Sequence, residues 1–172
     1  MGNWNLPLTG DDPRSVFYGH VPTWLLLQKK QISQEYLDQA FIFCCVRNVW
    51  DRAASLYHYL EVKRKCGQSF EQYLTGVQNA PQDRHNLGHP HSYWLRGIEN
   101  CRFLPMEGFI QAGFEGICKA IGIKPRQLQH RNTNENYSVS KKEFYDKNPR
   151  TKELVSVIYS EDIERFNQTF PY

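Results

Sequence analysis

Apolar residues along the chain fall into short clusters separated by polar, turn-rich stretches. The densest cluster, Phe41 to Val46, has the length and the aromatic and β-branched content of a buried strand. It stops at Arg47, a residue costly to bury unpaired. From Asn48 onward the period changes: Trp50, Ala53, Ala54, Tyr57 and Leu60 recur at helical spacing. Asn48 suits an N-cap and Asp51 a first turn. A helix is therefore predicted from Val49 to about Lys65, closing on the basic stretch Lys63, Arg64, Lys65 ahead of Gly67.

The same reasoning gives the remaining elements. Residues 1–16 read as an irregular arm, and residues 21–31 as a helix carrying Trp24, Leu26 and Leu27 on one face, with Pro22 in its first turn. A short helix follows over residues 69–77, then a loop over 78–92 rich in Asn, Pro, Gly and His. Residues 101–104 form a second strand closed by Pro105. A helix over 109–121 presents Phe109, Ala112, Phe114, Ile117 and Ile121 to the sheet and ends at Gly122. Residues 124–140 are polar, and Asn148 and Pro149 open a last helix with Leu154, Val155, Ile158, Ile163 and Phe166 apolar. Helix, strand, helix, strand, helix describes one α/β domain over residues 1–172 with at least two parallel strands.

Composition narrows the class. With 40% hydrophobic and 14% aromatic residues the chain is globular. A net charge of +3 is too weak to indicate nucleic acid and suits a modestly basic protein with an anionic ligand. Five cysteines without a C-x-x-C pair indicate neither a disulfide framework nor zinc; Cys44 and Cys45 read as small buried residues in a reducing compartment. His85, His89 and His91 have a spacing that invites a metal, but Asp83 is the one acid beside them, and no metal is expected. The sequence shows no signal peptide and no apolar run of bilayer length, so a cytoplasmic location is expected.

The strand-to-helix junction carries the candidate chemistry. Arg47 stands at a strand's carboxyl end, where ligands of open α/β sheets bind. Ser55 follows two turns into the helix, roughly 9 Å along its axis at ~1.5 Å per residue. A guanidinium fork and a hydroxyl suit a phosphate. The alternative is an ion pair of Arg47 with Asp51 or Asp162, with Ser55 facing solvent.

The segment VRNVWDRAASLYHYL resembles the 3′-phosphate-binding element of sulfotransferases that use 3′-phosphoadenosine 5′-phosphosulfate (PAPS): an arginine, a proline two residues on, a second arginine, and a serine eight residues after the first. Arg47, Arg52 and Ser55 match, and Val49 stands where proline is usual. Upstream, FYGHVPTW (residues 17–24) is similar to the Tyr-x-Gly-His-Val stretch of uronosyl 2-O-sulfotransferases. By that resemblance His20 is the catalytic base. FLPMEGFIQAGFEGICKAIGI, HRNTNENYS and ELVSVIYSEDIERFNQTF read like the closing third of carbohydrate sulfotransferases.

The resemblance implies a three-layer, P-loop NTPase-like sulfotransferase fold with a parallel sheet, PAPS as donor, and a carbohydrate or small hydroxyl acceptor. Arg131, Asn132 and Thr133 would close over the 3′-phosphate beside Arg47, Ser55 and Arg52. Lys63, Arg64, Lys65 and Arg84 would face an acidic acceptor or simply solvent. One part departs from the pattern: no lysine- and glycine-rich turn precedes Phe17, so the fold is expected to be N-terminally abbreviated. Two rivals follow. One is a non-catalytic module binding a nucleotide or anionic glycan; the other is a nucleic-acid-binding protein, whose affinity would fall steeply with salt. A homodimer is compatible with the sequence.

Overall fold

A computed structural model describes residues 21–61, 65, 67–80, 88–107, 110–129 and 140–172. The elements within them are α1 (Thr23–Gln28), α2 (Gln34–Gln39), β1 (Ile42–Val46), α3 (Val49–Tyr59), α4 (Phe70–Asn79), α5 (His91–Trp94), β2 (Cys101–Pro105), α6 (Ile110–Ala120), α7 (Lys141–Asp146), α8 (Arg150–Ile158) and α9 (Ser160–Phe166). β1 and β2 pair in parallel as a two-stranded sheet. The expected α/β class and parallel pairing are therefore present. β1 is not the buried strand expected: Ile42 and Cys44 are half-buried, Phe43 and Cys45 exposed, and only Val46 is buried. A strand that alternates in this way has one face covered and one bare, so Cys44 and Cys45 are not the buried pair expected.

By contact the chain divides into two compact units, one drawn from residues 1–44 and 84–102, the other from 45–83 and 103–172. The first unit holds α1, α2 and α5. Its buried residues include Leu37, Leu95, Ile98, His91 and Ser92. Trp24 meets Tyr93 edge-on at 5.8 Å, His89 stacks on Tyr93 at 4.1 Å, and the Arg96 guanidinium lies over both Trp24 and Tyr93. α2 went unpredicted; Ser33 caps it by accepting from the Tyr36 amide at 3.1 Å. Residues 91 and 92, expected in a loop, open α5.

The second unit is built around α3. Its apolar face buries Val49, Trp50, Ala53, Ala54 and Tyr57 against Phe70, Leu74 and Val77 of α4 and Leu154, Val155 and Ile158 of α8. α4 starts in a capping box, with Ser69 and Gln72 satisfying each other's backbone amides. The helix predicted to run on from Asn148 is two helices, broken at Tyr159. α7 also went unpredicted, though Ser140 and Glu143 make a second capping box.

α6 packs differently from expectation. Ile117 and Cys118 are buried, Phe114 half-buried, and Ala112 and Ile121 exposed. The reason is Gly113: a Cβ there would lie 1.8 Å from Leu104 Cδ1 and 3.3 Å from its Cγ, so β2 approaches the helix at a bare backbone. Gly122, at φ +73°, closes α6 with paired bonds from its own amide to Lys119 O and from Ile123 to Cys118 O. Gly113→Ala should cost about 1–3 kcal/mol by overpacking a buried leucine. Gly116→Ala, which meets nothing within 4 Å, should gain about 1 kcal/mol from helix propensity. Urea midpoints of the two variants check the opposite signs.

Candidate functional site

α3 begins where β1 ends, and Asn48 fixes the transition. Its side-chain oxygen accepts from Trp50 N at 3.1 Å and Asp51 N at 3.5 Å, and its Nδ2 donates to Thr169 O at 2.9 Å. The two amides before them are also taken: Asn48 N donates to Glu107 Oε1 at 2.8 Å and Val49 N to Gln168 Oε1 at 2.9 Å. Gln168 Nε2 returns a bond to Arg47 O at 3.2 Å. An anion at this junction must therefore be held by side chains, because the helix's first amides already have acceptors.

Those side chains centre on Asp51. Arg47 donates to its Oδ2 at 3.1 Å and Lys141, from α7, to the same oxygen at 2.7 Å. The Tyr172 hydroxyl meets the other oxygen. Arg47 and Lys141 keep 28% and 26% of their side chains exposed, enough to reach a ligand. Ser55, half-buried, lies four residues after Asp51 and so shares its stripe of the helix. Arg47 thus makes the ion pair weighed against phosphate binding, yet two cations to one acid leaves the cluster with a net positive charge.

Arg52 faces elsewhere. Its side chain is 16% exposed and points at the fully buried Asp162 at 4.0 Å, with its guanidinium beside the Tyr159 ring. The C-terminal residues cover the start of α3: Phe170 packs edge-on against Trp50 and Tyr145, with Lys152 over its ring at 4.1 Å. The Tyr145 hydroxyl donates to Trp50 O at 2.6 Å, and burial pushes its pKa far above the usual tyrosine range.

Burial alone would raise the Asp51 pKa, but hydrogen bonds from Lys141 and Tyr172 and the charges of Lys141 and Arg47 outweigh it and hold the carboxyl below its ordinary value. A carboxyl depressed in the folded state adds stability above its unfolded pKa and loses it as pH falls through the folded one. Asp51→Asn should therefore cost about 1–3 kcal/mol near neutral pH and flatten the acid limb of the stability curve. Thermal melts between pH 2 and 7 on both proteins, roughly spanning the carboxylate range, measure this.

Lys141 and Tyr172 escaped sequence reasoning, since they converge on Asp51 from 90 and 121 residues away. His20, Arg131, Asn132 and Thr133 lie outside the described residues, as do Lys63, Arg64, Arg84 and His85. Lys65 is exposed. Among the described residues no group of three His, Cys, Asp or Glu side chains is placed to hold a metal ion, and no helix is long and apolar enough to cross a membrane. No family model, curated protein or solved structure matches the chain.

Proposed function

We propose that the β1–α3 junction binds the 3′-phosphate of an adenine nucleotide, and that the chain is a sulfotransferase transferring a sulfuryl group from PAPS to a hydroxyl of a carbohydrate or similar acceptor. The observation that carries this is the cationic cluster on the Arg47–Asp51–Ser55 stripe, at the carboxyl end of a parallel strand. Arg47 supplies a fork that can grip two phosphate oxygens, Lys141 a second charge, and Ser55 a hydroxyl donor. Arg131, Asn132 and Thr133 enter by the sequence resemblance alone. So does His20, which would take the acceptor's proton with a pKa suited to neutral pH. Sulfuryl transfer asks little covalent help of a protein; donor and acceptor have to be aligned and the leaving phosphate's charge stabilised.

Asp51 gives the reading a distinctive test. A phosphate on Arg47 and Lys141 competes with that carboxylate, so Asp51→Asn should bind 3′-phosphoadenosine 5′-phosphate about tenfold more tightly, from the loss of a nearby like charge. Weaker or unchanged binding in a folded variant counts against the site. The second reading is a non-catalytic module that binds a nucleotide or anionic glycan through the same cations. Incubation with PAPS and a panel of sugar hydroxyl acceptors separates the two. Nucleotide binding without sulfated product selects the module.

A further inference from the structure

The second unit contains another site, formed at the carboxyl ends of β1 and β2. Val46 and Pro105, the last residues of β1 and β2, border an open cleft of about 550 Å³, within the range of small-molecule sites. The lining is mainly apolar, and its chief surfaces are the rings of Phe103 and Phe166, edge-to-face at 4.9 Å. Phe103 is 40% exposed, a large apolar ring left open to solvent on a strand.

Arg165 lines the same cleft. Its guanidinium sits 5.4 Å from the centre of the Phe103 ring and 5.9 Å from that of Phe166, and it makes no ion pair among the described residues. Arg47, Arg52 and Arg150 of the same unit each face a carboxylate. Glu107, the acid in the cleft, is instead tied to the Asn48 amide at 2.8 Å. A guanidinium stacked on aromatic rings and still carrying its fork of donors is preorganised for an anion at the rim of an apolar surface. We propose that this cleft binds a flat aromatic molecule bearing one carboxylate or sulfonate, its rings on Phe103 and Phe166 and its anion on Arg165.

The site draws on neither Arg47 nor Ser55, so it stands whether or not a nucleotide binds beside it. The probe is 2-naphthoate, titrated into the full ¹⁵N-labelled chain and followed by amide shifts, with neutral 2-naphthalenemethanol as the uncharged counterpart. Saturable shifts at Phe103, Arg165 and Phe166 are expected, with the naphthoate binding at least about fivefold more tightly than the alcohol, on the scale of one charge-assisted hydrogen bond. Arg165→Gln, at an exposed position, should abolish that preference while the alcohol binds as before. Phe103→Ala should weaken both probes by about tenfold through the lost ring contact. Absence of saturable binding to the folded protein would overturn the proposal. A preference for the naphthoate that survives in Arg165→Gln would overturn it equally.

Discussion

Replacing Arg52 with alanine is expected to remove about 3 kcal/mol of folding stability, the low end of the cost of breaking a buried ion pair. Asp162 is fully buried at the start of α9, and Arg52 reaches it from α3 with a side chain only 16% exposed. Truncating the arginine also removes aliphatic packing and the guanidinium beside Tyr159. Asp162→Asn in the Arg52→Ala background should restore part of the loss, because the amide needs no counter-charge. Chemical denaturation of both single variants and the double variant gives the coupling energy directly. If Arg52→Ala instead keeps full stability and loses nucleotide affinity, then Arg52 belongs to the phosphate grip, as the sequence resemblance implies.

Arg47→Ala should have the reverse profile. Its guanidinium is more exposed than that of Arg52 and pairs with an acid that Lys141 and Tyr172 also hold. Removing it leaves Asp51 with partners, so stability should fall by only about 1 kcal/mol. Affinity for 3′-phosphoadenosine 5′-phosphate should fall by about 2–4 kcal/mol if the fork meets the phosphate as a charged pair. Two arginines five residues apart on one segment would then separate into a ligand-facing and an interior-facing residue. Calorimetry paired with denaturation distinguishes them, and an unchanged affinity in Arg47→Ala would remove it from the site.

What could be read from the sequence was local. The Asn48 cap, the α3 apolar face and the Gly122 stop depend on residues within a turn or two of each other, and each is present. The six-residue helices α2 and α7 carry too few apolar positions to show a period, although Ser33 and the Ser140–Glu143 pair mark their starts. Strand burial could not be read from the Phe41–Val46 run, since apolar content does not reveal how many layers cover a sheet. The face of α6 was misjudged for a similar reason. The bare backbone of Gly113 is what admits Leu104.

The candidate site was half legible. Arg47 and Ser55 stood out by spacing, and the ion pair with Asp51 was weighed as the alternative. The convergence of Lys141 and Tyr172 on that acid is tertiary, and it converts a simple pair into a cluster that retains positive charge. The cleft beside Phe103 and Arg165 was invisible for the same reason: its aromatic and cationic walls come from β2 and α9, which the chain brings together only on folding.

Recognition of a 3′-phosphate at the β1–α3 junction, as proposed above, rests on the Arg47 and Lys141 side chains. Calorimetric titration of the wild-type chain with 3′-phosphoadenosine 5′-phosphate and with adenosine 5′-phosphate, which differ by that group alone, isolates its contribution. A preference of about tenfold or more for the 3′-phosphorylated nucleotide, the yield of one charge-assisted contact, is the predicted result. Equal affinity for the two nucleotides, or no binding of either to the folded protein, would contradict it.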